Sequence, residues 1–103
     1  MKTAFSPTAI ADLEEIALYI ADDNPQAAAA WVDKLVDRAE KAAESPRAGR
    51  VVPEVGAPDI REVFLRTYRI IYRIERDRIL VLTILEGHRR LRALPGGVKL
   101  KPR

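Results

Sequence analysis

Gly87-His88-Arg89-Arg90 lies near the C-terminal end of this 103-residue chain, and the apolar run Tyr68 to Ile74 upstream of it carries Arg69 and Arg73. Guanidinium groups suit bidentate recognition of phosphate and carboxylate, and an imidazole is the side chain best placed to exchange a proton near neutral pH. Metal-free RNA cleavage needs a base for the 2′-hydroxyl, an acid for the leaving oxygen and cations for the phosphorane charge. Arg69 and Arg89 can supply the cations and His88 one proton-transfer group. The set is incomplete as it stands, because arginine stays protonated near neutral pH and makes a poor base. Other chemistries find fewer parts. There is no cysteine and one histidine, so thiolate and paired-histidine metal sites are absent. Gly96-Gly97 lacks the strand, the Lys-Ser/Thr pair and the helix of a phosphate-cradling loop. Ser6 and Ser45 read as a helix cap and a loop residue. No metal and no cofactor is expected.

Charge is divided unevenly. Residues 1–57 hold 6 Lys+Arg against 10 Asp+Glu, and residues 58–103 hold 12 against 5. A basic C-terminal half points to an acidic or polyanionic partner. Arg61, Arg66, Arg69, Arg73, Arg89, Arg90 and Arg92 are the candidate binding residues. At 48% hydrophobic and 32% charged residues the chain reads as one soluble domain. Met1 to Pro7 shows no leader-like apolar run, and no stretch approaches the roughly 18 apolar residues of a membrane span. A cytoplasmic protein without membrane contact is expected.

The elements that must position these groups are marked by caps and periodicity. Residues 2–5 read as a strand. Ser6 caps a helix with Pro7 at its first position, where a missing N–H costs nothing. Ile10, Leu13, Ile16, Ala17 and Ile20 form its apolar stripe. Asn24 and Pro25 repeat the start signal for a second helix to about Glu44, with Ala28, Trp31, Leu35, Ala39 and Ala42 inward. Trp31 and the three tyrosines all sit at core-like spacings. So short a connection makes an antiparallel helical hairpin. Residues 45–58 read as one long loop. Strands are expected over 60–65, 68–74 and 79–85 as an antiparallel meander. The fold class is therefore α+β, with the order β-α-α-β-β-β. The helical hairpin covers one face of a mainly antiparallel four-stranded sheet, and a basic tail from residue 93 is expected to be flexible, or ordered by a partner.

Alternation along 68–74 places Tyr68, Ile70, Tyr72 and Ile74 under the helices, and Arg69, Ile71 and Arg73 on the opposite face. Leu80, Leu82 and Ile84 are expected beside the arginines. A face so apolar calls for a further covering element.

Taken in order, "SPTAIADLEEIALYIADDNPQAA", "SPRAGR", "REVFLRTYRIIYRI" and the terminal "GHRR" resemble the RelE/ParE superfamily of bacterial toxins from type II toxin–antitoxin modules. The similarity spans residues 2–92 and leans toward ParE, through the long helical hairpin and the "DNPQAA" turn. It implies a single toxin domain over residues 1–92 followed by the basic tail 93–103. It also implies a small cognate antitoxin, acidic in its toxin-binding segment. ParE-like members inhibit DNA gyrase; RelE-like members cleave mRNA on the ribosome. In the RelE-like case the catalytic arginines fall on Arg69 and Arg89. That case also uses lysines upstream and an aromatic acid/base group near the C-terminus. Here Asp59 to Tyr68 holds no lysine, and neither Tyr nor His follows Arg90. The resemblance thus implies a gyrase inhibitor rather than an enzyme, contacting DNA only indirectly through its antitoxin. The alternatives are a ribosome-dependent mRNA endonuclease and a degenerate toxin that only binds its antitoxin.

Overall fold

The computed structural model describes residues 1–102. They form β1 (Lys2–Phe5), α1 (Pro7–Asp23), α2 (Pro25–Glu44), a 3-10 turn (Pro46–Ala48), β2 (Arg50–Val51), β3 (Ile60–Leu65), β4 (Tyr68–Ile74) and β5 (Arg78–Glu86). The class is α+β, as expected, on one sheet of order β1-β5-β4-β3-β2. The pair β1–β5 is parallel and the others are antiparallel.

Both helix starts follow from their caps. Ser6 Oγ accepts from the Ala9 N–H at 3.0 Å and donates to the Leu82 carbonyl at 2.7 Å, so the cap also ties α1 to β5. Asn24 closes one helix and opens the next. Its N–H donates to the Ile20 carbonyl at 2.8 Å and its Oδ1 accepts from the Ala27 N–H at 3.2 Å. The chain therefore reverses on one residue. Leu35, Ala39, Ala42 and Ala43 of α2 then bury against Ile70, Tyr72, Ile79 and Val81. Small alanines bring helix and sheet close, and a fully buried Leu35 contributes about 1.5–3 kcal/mol.

Several expectations are corrected. The sheet has five strands, not four, because Arg50-Val51 pairs with Glu62 and Arg61 inside the segment expected to be all loop. Two residues are too few to show alternation. Pairing makes this strand, helped by Gly49, where any side chain would strike the Tyr72 hydroxyl and the Glu62 carbonyl. Ile84 faces the helices instead of standing beside Arg69. Ile71 pairs with Thr83 but Tyr72 with Val81, so Leu82 is an extra residue and shifts the phase of everything after it. Leu85 takes the opposite face in its place. Asp12 of α1 holds this bulge, accepting from the Thr83 hydroxyl and from the Ile84 N–H at 2.9 Å.

Trp31 is half-buried, not core, because α2 meets the sheet there only at the β3–β4 turn. Among the tyrosines Tyr72 is fully buried, Tyr68 half-buried and Tyr19 80% exposed. The contact stripe of α1 is narrow, so its flanking Ile10 and Tyr19 stay in solvent.

The largest departure is the tail. Leu91 and Leu94 are buried, and Val98 and Leu100 pack beside them on Val52, Ile60, Ile71 and Leu82. Gly96 and Gly97, at φ 77 and 74, make the left-handed reversal that glycine alone adopts without cost. The chain returns so that the Lys101 N–H donates to the Glu54 carbonyl at 2.7 Å. The segment expected to be flexible, or ordered by a partner, packs as a strap across the face that needed covering. Its leucines were hidden among cations and glycines. Arg103 lies outside the described residues.

Candidate partner-binding face

Arg69 does point to the face opposite the helices, but into a closed ion network. It is 6% exposed. Its Nε donates to Glu62 Oε1 at 2.7 Å, and its Nη1 and Nη2 grip both oxygens of Glu54 at 2.8 and 2.9 Å. Glu62, 1% exposed, also accepts from Arg50 Nε at 2.8 Å. The pairing explains the geometry. Arg50 stands directly opposite Glu62 across β2–β3, and Arg69 is its diagonal neighbour across β3–β4. The Arg69 hydrogen bonds hold the Glu54 carboxyl below the usual carboxylate range, partly opposed by desolvation. They push the Arg69 guanidinium up in the same way, Glu54 first.

The other candidates divide into two groups. Arg61 donates to the carbonyls of Pro58, Arg47 and Gly49 at 2.8, 3.0 and 3.1 Å, and so staples the loop before β3. Arg73 pairs with Glu75 at 2.9 Å and donates to the Gly96 carbonyl at 3.3 Å, which anchors the strap. Arg78 takes the other Glu75 oxygen at 2.6 Å, and the two arginines, Arg78 foremost, hold the Glu75 carboxyl low. Arg66 stands at the β3–β4 turn with φ 52, over the Trp31 ring. Arg89, Arg90 and Arg92 are exposed together on the strap and line one continuous surface.

His88 is in solvent, its side chain 87% exposed, with Nε2 3.8 Å from Glu86. The Arg69 stem passes close to Gly87, but its guanidinium is committed to Glu54 and Glu62. Among the described residues no cluster of three potential metal ligands forms, and no helix is long and apolar enough to cross a membrane.

Two of the open surfaces among the described residues bear on binding. One is a cleft of about 310 Å³ between α1 and the start of β4, lined by Ile16, Tyr19, Tyr68, Ile84, Glu86 and Arg89. Trp31 extends it, its ring centroid 6.0 Å from that of Tyr68 with Lys34 and Arg66 each 5.5 Å from its own. Burial, then the Glu86 charge, raises the Tyr68 phenol above its ordinary pKa. Sequence reading missed this aromatic row because every member passed as core. The other is a groove of about 680 Å³ along the strap.

The frame is a two-helix hairpin on a mixed sheet, with Arg69 neutralised internally, an aromatic cleft edged by Asp12, Glu15, Glu86 and Arg89, and a basic strap. The family model described as "ParE toxin of type II toxin-antitoxin system, parDE" matches residues 4–91, and the chain belongs to that family. A solved structure titled "Chromosomal ParDE TA system from P. aeruginosa" contains a similar chain, with TM-score 0.69 and 22% identity, covering 84% of this chain and 95% of that one. At that identity the likeness shows the fold. No curated protein gives a significant match.

Proposed function

We propose that this ParE-family toxin inhibits growth by binding DNA gyrase, without cutting RNA, and that an antitoxin with an acidic toxin-binding segment holds it inert in the cytoplasm. The observation that carries the reading is the state of Arg69. A phosphate-stabilising arginine must offer its fork to the substrate, and here Glu62 and Glu54 fill it on the strap-covered face. Among the described residues the His88 imidazole has no orienting partner closer than Glu86 at 3.8 Å, so the remaining proton-transfer group is unpositioned. Binding of a macromolecular target asks for neither. It needs exposed aromatic anchors and unneutralised arginines, which the α1–β4 cleft and the strap provide.

The test is purified protein in two assays: gyrase supercoiling of a plasmid, and integrity of mRNA on translating ribosomes. Supercoiling should fail or cleaved DNA accumulate, with mRNA intact, and His88→Ala should behave like wild type. Cleaved mRNA with unaffected gyrase, and loss of both cleavage and toxicity in His88→Ala, would replace this reading with the nuclease one.

A further inference from the structure

Five of the six basic residues in the otherwise acidic stretch 1–57 fall between positions 34 and 50. Three of them, Lys34, Arg38 and Lys41, repeat at helical spacing along α2 and so share one strip of it, about 10 Å long. The strip runs down the side of the helix next to β3, where Arg38 Nε donates to the Phe64 carbonyl at 3.2 Å. Asp33, Asp37, Glu40 and Glu44 are exposed on a separate strip, roughly 90° further round the helix. Glu44 lines one hollow with Arg38 and Lys41, and the two cations outnumber it there. Like charges three and four residues apart destabilise a helix. Among the described residues none of Lys34, Arg38 and Lys41 forms an ion pair that would offset this.

Arg66 joins the strip from the β3–β4 turn, also without an ion pair to any described residue. At φ 52 it holds a left-handed backbone that glycine would adopt with less strain. Trp31 gathers the two elements, with Lys34 Nζ and the Arg66 guanidinium each 5.5 Å from its ring centroid. Four cations thus meet on one side of the molecule through two arrangements that each cost stability.

We propose that this side of α2, with Lys34, Arg38, Lys41 and Arg66, is a docking surface for the phosphate backbone of duplex DNA. Phosphates would relieve the like-charge spacing of the helix and give the strained Arg66 a partner. The contact is to backbone and not to unstacked bases, because Lys34, Arg66 and Tyr68 already crowd the Trp31 ring and leave it a poor stacking platform. An acidic peptide fits less well, since tight peptide binding draws on apolar anchors and phosphate binding does not. The surface lies on the helix side of the sheet, opposite the strap. The inference rests on the gyrase reading only in choosing DNA, the duplex that enzyme works on, over RNA. It goes beyond that reading in giving the toxin a direct contact of its own with DNA.

The experiment measures binding of a labelled short DNA duplex to the purified protein by fluorescence anisotropy, with no gyrase present. With four phosphates engaged, affinity should fall roughly 100-fold between about 0.05 and 0.2 M salt. Lys34→Gln/Arg38→Gln/Lys41→Gln should weaken binding at least about tenfold at low salt and flatten the salt slope by about three. Its melting temperature should equal or exceed the wild type, because the substitutions remove repulsion. Should loss of the Arg38 bond to Phe64 lower it, Lys34→Gln/Lys41→Gln alone should flatten the slope by about two. Lys99→Gln/Lys101→Gln on the strap should leave the slope unchanged. No binding by wild type, an unchanged slope in the α2 variants, or loss of the slope in the strap variant overturns the proposal. So does tighter binding of an RNA duplex, or of polyglutamate of equal charge. Supercoiling inhibited without DNA binding refutes this inference alone, whereas DNA binding without inhibition refutes the gyrase reading alone.

Discussion

Replacing Arg69 by methionine removes the guanidinium and keeps most of the stem. Three charge-assisted hydrogen bonds of 2.7–2.9 Å disappear. Glu54, about a third exposed, can turn to water, but Glu62 has no exposed side-chain surface and cannot. Breaking a buried pair by deleting one partner costs about 3–5 kcal/mol, because the survivor stays charged and desolvated. Arg50 remains on Glu62 Oε2, so the lower end, about 3 kcal/mol, applies here. Against a total stability of ~5–15 kcal/mol this is a large fraction. For a domain of this size it corresponds to a fall in melting temperature of roughly 12–24 °C. Arg69→Met/Glu62→Leu removes both buried charges and should return to within about 1 kcal/mol of wild type, since apolar replacement of an ion pair is often neutral. The two substitutions are therefore strongly non-additive, coupled by about 2 kcal/mol or more. Urea unfolding at neutral pH is the assay, because urea does not screen charge. A loss below about 1 kcal/mol for Arg69→Met, or a double mutant that merely sums the singles, would refute the reasoning.

Three further outcomes follow from the same geometry. Trp31→Ala should cost about 1–2 kcal/mol, well short of the 3–5 typical of a core aromatic, because one side of the ring is in solvent; urea midpoints at constant slope measure it. Asp12→Ala leaves the Thr83 hydroxyl and the Ile84 N–H without their acceptor and should cost about 1–3 kcal/mol, with amide exchange at Ile84 accelerated if the bulge loosens. The pH dependence follows from Glu54 and Glu75. Both carboxyls are lower in the folded protein than in the unfolded chain, so their contribution is complete above the ordinary carboxylate value of about 4.3 and is lost as pH falls through the folded values. Melting temperature should be level from neutral pH to about 5 and decline below about 4, less steeply in Glu54→Gln.

What the sequence disclosed, and what it hid, divides along a physical line. Ser6-Pro7 and Asn24-Pro25 announce the helices because a cap is local chemistry, and β3, β4 and β5 show themselves by β-branched and aromatic runs. The short strand Arg50-Val51 and the extra residue at Leu82 exist only through pairing, so no window of sequence contains them. The phase of Arg69 was legible and its neighbours were not. Yet the two-residue turn Arg66-Thr67 sets Leu65 opposite Tyr68, and counting back sets Glu62 opposite Ile71 and diagonal to Arg69. That step turns Arg69 from a partner-facing cation into a buried structural one. Charge reversal at Arg69 would then place a third carboxylate beside Glu62 and Glu54 and unfold the sheet before any partner was lost. The candidate arginines look uniform by type and density. They separate by whether a carboxylate or a main-chain carbonyl is within reach: Glu62 and Glu54 for Arg69, Glu75 for Arg73, the carbonyls around Gly49 for Arg61. Beyond Glu86 the supply of acid ends while the cations continue. A place where a chain stops neutralising itself is a place where it can pair with something else, and the strap is one.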